Sequence, residues 1–106
     1  MTSATTLVYV TAGSRDEAVS IGRALVEARL AACANILPPI TSIYRWDDAI
    51  QEDEEVGFIV KTRAELVPAV TARVSELHSY DCPCVVAMPI TDGNPYFLDW
   101  IMKETA

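Results

Sequence analysis

The spacing of apolar residues along this chain alternates between two periods, and the changes of period divide it into strands and helices. Thr6 to Ala12 carries Leu7, Val8, Tyr9 and Val10 and reads as a buried strand. Gly13-Ser14 turns the chain, with Ser14 as N-cap and Asp16 and Glu17 in a first turn whose dipole favours negative charge. Ala18, Ile21, Leu25 and Ala28 then recur at helical spacing, while Asp16, Ser20, Arg23 and Glu27 fall on the opposite face. Cys33 to Trp46 reads as a long strand interrupted at Pro38-Pro39. Proline cannot donate to a sheet ladder, so an edge or a bulge is expected there. Asp47-Asp48 marks a turn, and Ile50 onward returns as a second strand. Its inner half sets Val56, Phe58 and Val60 on one face and Gly57, Ile59 and Lys61 on the other.

Thr62 to Glu65 matches the capping box Thr-x-x-Glu, yet Pro68 would clash inside a helix. Residues 62–67 are therefore expected as a leading turn, with Pro68 near the first helical position. Val67, Val70, Val74 and Leu77 supply the apolar stripe, and His78 closes it. Val85 to Pro89 is a short apolar strand, and Asn94-Pro95 opens a last helix holding Phe97, Leu98, Trp100 and Ile101. The order β-α-β-β-α-β plus a C-terminal helix is the split-βαβ, ferredoxin-like α+β arrangement, with both helices on one face of an antiparallel sheet. The hairpin is longer than a four-stranded sheet requires. Its outer part should project, and an unpaired edge of that kind invites a neighbouring chain.

Composition adds three constraints. The 106 residues fit one domain, 1–106, with an ordered core expected over about 6–103. Hydrophobic residues make up 51% and aromatic ones only 8%, an excess of small aliphatic side chains that is expected to be buried between subunits. The net charge of −7, with eight basic residues scattered singly, repels phosphate backbones and anionic headgroups; neither nucleic acid nor membrane is an expected partner. No apolar run approaches the ~20 residues of a membrane span, and Met1 to Thr6 lacks the features of a secretory signal. Three cysteines, an odd number, argue against a disulfide framework, so a reducing cytoplasm is the expected compartment.

The most metal-like cluster is Cys82-Pro83-Cys84 with His78, since thiolates and imidazole suit soft ions such as Cu(I) or zinc. The competing reading makes Cys84 a small hydrophobe at the start of a strand. Cys33 beside Asn35 is readable as a buried small residue, and the acidic run Glu52-Asp53-Glu54-Glu55 either as a collector of divalent cations or, more commonly, as a solvated strand edge. Tyr44, Trp46 and Trp100 read as core or interface anchors. The loop Thr11-Ala12-Gly13-Ser14 carries no thiol, which removes a metallochaperone of this topology, and its single glycine gives poor support to an acylphosphatase-like phosphate cradle.

Leu30-Ala31-Ala32-Cys33-Ala34-Asn35-Ile36, Ser42-Ile43-Tyr44-Arg45-Trp46, Glu54-Glu55-Val56, Lys61-Thr62-Arg63, His78-Ser79-Tyr80-Asp81-Cys82-Pro83 and Pro89 to Pro95 together resemble the CutA family of divalent-cation tolerance proteins. The resemblance runs colinearly from about Thr6 to Trp100. It implies a ferredoxin-like fold assembled as a homotrimer through its long strands, an architecture like that of PII signalling proteins, and a cytoplasmic role in the response to divalent metals, copper above all. It implies no catalytic reaction. Some members are assigned copper ligands at a first-strand cysteine and a histidine pair; here Val10 and Leu77 stand at two of those positions and His78 alone remains. A soft-metal site would therefore be built from His78, Cys82 and Cys84, with no metal required for folding.

Two further functions compete with metal binding. A PII-like sensor would hold a small molecule in clefts between subunits, among Cys33, Asn35, Lys61, His78 and Tyr80. An enzyme would need an activated nucleophile beside a base, which a single histidine supports poorly. Oligomer contacts are expected at Ile43, Tyr44 and Trp46.

Overall fold

A computed structural model of the chain describes residues 5–106; Met1–Ala4, within the stretch read above as lacking a secretory signal, lie outside it. Strand β1 (Thr5–Ala12) leads through Gly13 to helix α1 (Arg15–Glu27), whose N-cap Ser14 accepts from the Glu17 N–H. The helix ends in a Schellman turn: Arg29 N–H donates to the Val26 carbonyl and Leu30 N–H to Leu25, with Arg29 at φ 61°. Ala28 is the C-cap and is exposed, so the buried stripe expected to reach it stops at Leu25.

Strands β2 (Cys33–Trp46) and β3 (Ala49–Arg63) form the long hairpin, closed by Asp47-Asp48. Both turn residues have positive φ, 54° and 60°, which is the type I′ geometry that matches strand twist. Helix α2 (Val67–Leu77), strand β4 (Val85–Ile90) and helix α3 (Pro95–Glu104) follow. The sheet order is β2-β3-β1-β4, with every neighbouring pair antiparallel, which is the split-βαβ topology.

The expected turn over 62–67 forms differently. β3 continues through Arg63, a 3-10 turn spans Ala64–Leu66, and Pro68 sits in the first turn of α2. Thr62 makes no capping box; it is fully buried, and its hydroxyl donates to the Leu30 carbonyl at 2.7 Å. Tertiary burial outweighs the local cap.

The core lies between the sheet and helices α1 and α2. Val8, Val10, Val56, Phe58 and Val60 meet Ala18, Ile21 and Leu25 of α1 and Val70 and Val74 of α2. Gly22 lets α1 approach β2 closely, because a Cβ there would lie 3.0 Å from that of Ala34. The stripe expected on α2 is shorter than read, since Leu77 is exposed. Helix α3 packs on β1 and β3 through Ile101, and Arg63 ties it down with bonds to the Met102 and Thr105 carbonyls. Beyond residue 103, Thr105 is buried and the Ala106 N–H donates to the Arg29 carbonyl.

The chain measures 46 × 25 × 24 Å, with a radius of gyration of 14.3 Å. A compact chain of this length would have roughly 13 Å. The hairpin accounts for the excess, since its outer half is exposed on both strands.

Candidate functional site

A one-residue bulge decides which way the hairpin's side chains face. Ile36 pairs with Phe58 but Pro39 pairs with Val56, so β2 carries one extra residue at Leu37-Pro38. Phe58 and Val56 both point to the helices. After the bulge it is therefore Ile40, Ser42, Tyr44 and Trp46, with partners Glu55 and Asp53, that share the opposite face of the sheet. Tyr9 and Thr11 of β1 lie on that same open face.

The result is a cleft of about 580 Å³. Its floor is Tyr9, Thr11 and Glu55, one wall is Ser42, Tyr44 and Trp46, and the other is the loop following α2, with Tyr80, Asp81, Cys82 and Cys84. Gly57 makes the floor possible: a Cβ there would lie 2.7 Å from the Tyr9 hydroxyl oxygen, so the Tyr9 ring can lie across the strand only above a glycine.

His78 fixes the loop in place. Its side chain is fully buried, with Nδ1 accepting the Tyr80 N–H at 3.0 Å and Nε2 lying 2.7 Å from the Thr11 carbonyl. A backbone N–H only donates and a carbonyl only accepts, so Nε2 carries the proton. Glu17 completes the arrangement, accepting from the Gly13 N–H at 3.0 Å and the Ser79 N–H at 2.8 Å. Burial alone would raise the Glu17 carboxyl, but bonds from Ser79 and Gly13, with the nearby His78, hold it below the usual carboxylate value. The Tyr80 ring packs against His78 at 4.5 Å between centroids, tilted by 47°, and its hydroxyl donates to Glu55 at 2.9 Å. Burial, then the Glu55 carboxylate, pushes the Tyr80 hydroxyl up to about 12, so it stays a donor. Tyr44 similarly donates to Asp53, which raises its hydroxyl.

The expected metal set is not assembled as read. Both nitrogens of His78 are committed to the backbone, so it has no lone pair to give a metal and acts as a positioning residue. Among the described residues no three His, Cys, Asp or Glu side chains converge to hold an ion. Cys82 and Cys84 do reach one cleft; Cys82 is exposed, and burial raises the Cys84 thiol against a lowering bond to Thr11.

The expected ligand set is likewise divided. Lys61 donates to Asn35 at 2.7 Å, Cys33 lies 3.9 Å from the same Asn35 oxygen, and the Lys61 ammonium stands 5.8 Å from the Phe97 ring centroid. Tyr80 instead contacts Glu55, six residues and ~20 Å along β3 from Lys61. The expected contact residues divide too. Ile43 is 68% exposed on the face it shares with Ile50, whereas Tyr44 and Trp46 face the cleft. Tyr9, Thr11 and Ser42 were not anticipated, and Glu55 was read only as a member of the acidic run; the signal for the floor was a glycine inside a strand, which marks a close approach.

A split-βαβ domain with an open sheet face, a projecting hairpin and a loop-walled cleft defines a structural class. The comparisons with known proteins identify the family. Residues 6–104 match the model described as CutA1 divalent ion tolerance protein. The divalent-cation tolerance protein CutA of Thermus thermophilus is 46% identical over 93% of this chain and 96% of its own length. Mouse protein CutA is 46% identical over 92% of this chain, which spans only 55% of that relative. Among solved structures, Cut A1 from Thermus thermophilus superposes with a TM-score of 0.94 at 45% identity, covering 96% of this chain and 99% of that one. CutA1 from Oryza sativa gives 0.95 at 38% identity, covering 99% and 96%. A similar CutA from Archaeoglobus fulgidus, TM-score 0.91 at 43% identity over 94% of this chain and 97% of that one, is named as periplasmic. The chain belongs to the CutA1 divalent-ion tolerance family.

Proposed function

We propose that this protein works as a cytoplasmic homotrimer in the response to divalent or soft metal ions, copper foremost, and that it catalyses no reaction. The observation that carries the metal reading is that Cys82 and Cys84, in a member of this family, line one cleft. Two thiols suit Cu(I), a soft ion, and fall short of the closed four-ligand set of structural zinc. The trimer is supported by apolar side chains left in water: Ile43 and Ile50 on the hairpin, and Val86 and Met88 on the edge strand β4. Three free cysteines support a reducing compartment. The absence of a reaction is supported by His78, whose ring nitrogens are both engaged by backbone groups and leave no free base.

Competition for Cu(I) between the protein and a chromogenic chelator tests the metal site. The native chain should win and Cys82→Ser/Cys84→Ser should lose; equal affinities assign both cysteines to structure. Light scattering tests the assembly, and a monomer at micromolar concentration refutes it.

A second reading, favoured by the aromatic walls and size of the cleft, is a PII-like sensor of a small molecule with no metal. A thermal-shift screen of metabolites against metal-free protein separates the two, since a bound ligand stabilises by RT ln(1 + [L]/Kd).

A further inference from the structure

We propose that Cys82 and Cys84 are an oxidation site, a dithiol that closes to a reversible disulfide within the loop before β4. Both side chains reach one wall of the cleft, and Pro83 alone separates them. A proline biases the residue before it to extended backbone, in which side chains two apart point to the same side. Two residues of extended chain span at most ~7 Å, the upper end of the Cα separation that a disulfide bridges. The chain bends at Cys82, and the ladder to β1 begins only at Val85, so drawing the two sulfurs together breaks no strand pairing. Cys33 lies too far away to compete. It stands on β2, at the edge of the sheet opposite β4, and three strand spacings make ~14 Å.

The oxidant is a low-molecular-weight disulfide. Cys82, the exposed thiol of the pair, gives up its proton, and its sulfur attacks one sulfur of that disulfide, breaking the S–S bond and releasing a first thiol. Cys84 then gives up its proton, and its sulfur displaces a second thiol from Cys82. Two protein thiols are oxidised, one small disulfide is reduced, and the two protons leave on the released thiols. A bridge across a single residue closes a tight ring, and strained or exposed disulfides are the readily reduced ones. In a reducing compartment the pair rests as the dithiol and closes when the thiol pool turns oxidising. No open cleft is needed: the bond forms within one loop and requires only that Cys82 be reached in the assembled protein. The consequence for copper rests on the metal reading above, because the disulfide removes both of its thiol donors.

The test incubates chelator-treated, assembled protein with glutathione disulfide, unfolds it in an alkylating agent and measures its intact mass. The native chain should form an internal disulfide and alkylate at one cysteine, where the reduced chain alkylates at three. Dithiothreitol should reverse the change. Cys33→Ser should still close the bridge, whereas Cys84→Ser should trap the mixed disulfide of Cys82 with glutathione. A native chain that stays reduced, stops at the glutathione adduct or links to a second chain on a non-reducing gel overturns the proposal, and these outcomes need no variant to fold. Competition for Cu(I) on the same samples separates this inference from the metal reading. Where the reduced chain binds Cu(I), the oxidised chain should bind it no better than Cys82→Ser/Cys84→Ser does. A reduced chain that also binds no better than that variant refutes the metal reading, while the disulfide, read by mass, stands.

Discussion

Glu17→Gln isolates the tie that holds the cleft loop to the first helix. The carboxylate gives one oxygen to the Gly13 N–H and the other to the Ser79 N–H, at 3.0 and 2.8 Å. An amide has one acceptor oxygen, so the variant leaves one N–H facing a donor. A hydrogen bond to a charged group contributes roughly 1.5–3 kcal/mol. The Glu17 side chain is 18% exposed, so screening removes part of this and not most of it. The expected loss is about 1–2 kcal/mol in unfolding free energy at neutral pH. The sign with pH follows from the carboxyl lying below its usual value of 4.5 in the folded chain. Its contribution is complete above that value and is lost as pH falls through the depressed one. Denaturant unfolding at fixed protein concentration, at about pH 7 and about pH 3, should therefore show a gap between native and variant that closes in acid. A gap of the same size at both pH values would refute the charge-based account. No gap at either would show that the loop is held by His78 alone.

Other perturbations probe the remaining elements. Thr62→Val keeps shape but leaves the Leu30 carbonyl without its donor, and should cost about 1–3 kcal/mol in equilibrium unfolding; a cost below about 0.5 kcal/mol would show that the carbonyl is not left unsatisfied. Ile43→Asp, at an exposed apolar position of the outer hairpin, should dissociate the assembly in light scattering; an unchanged oligomer places the subunit contact elsewhere. Cu(I) affinity should fall as pH drops towards ~6, because binding displaces thiol protons and burial already raises the Cys84 thiol. A flat profile in the same competition assay would remove the thiols from the site.

The fold was legible because its local signals agree with one another. Ser14, Asn94 with Pro95, and Asp47-Asp48 act through bonds and dihedrals set within a few residues, and each stands where its chemistry predicts. Thr62 misled because the same hydroxyl that suits a cap can also satisfy a buried carbonyl 32 residues away, and only the packed sheet decides between them. The metal set misled for a related reason. Closeness in sequence brought His78, Cys82 and Cys84 together on paper, but a buried imidazole takes the nearest backbone partners, and Thr11 and Tyr80 supply both. Lys61 and Asn35 meet because the two strands run side by side there, while Tyr80, grouped with them in the sequence, contacts Glu55 further along β3.

The bulge at Leu37-Pro38 explains why a fold so readable left its cleft hidden. A strand's alternation assigns faces only until one residue is added, after which every later side chain changes sides. Without the extra residue Ile43 and Arg45 would face the open side of the sheet, with Tyr44 and Trp46 behind it. The cleft would then have an aliphatic and cationic wall in place of an aromatic one. The proline pair was visible from the start as a break in the ladder, but its consequence lies six to eight residues further on, in the direction Tyr44 and Trp46 face. The face these aromatic residues share is therefore decided less by their place in the sequence than by the single backbone insertion before them.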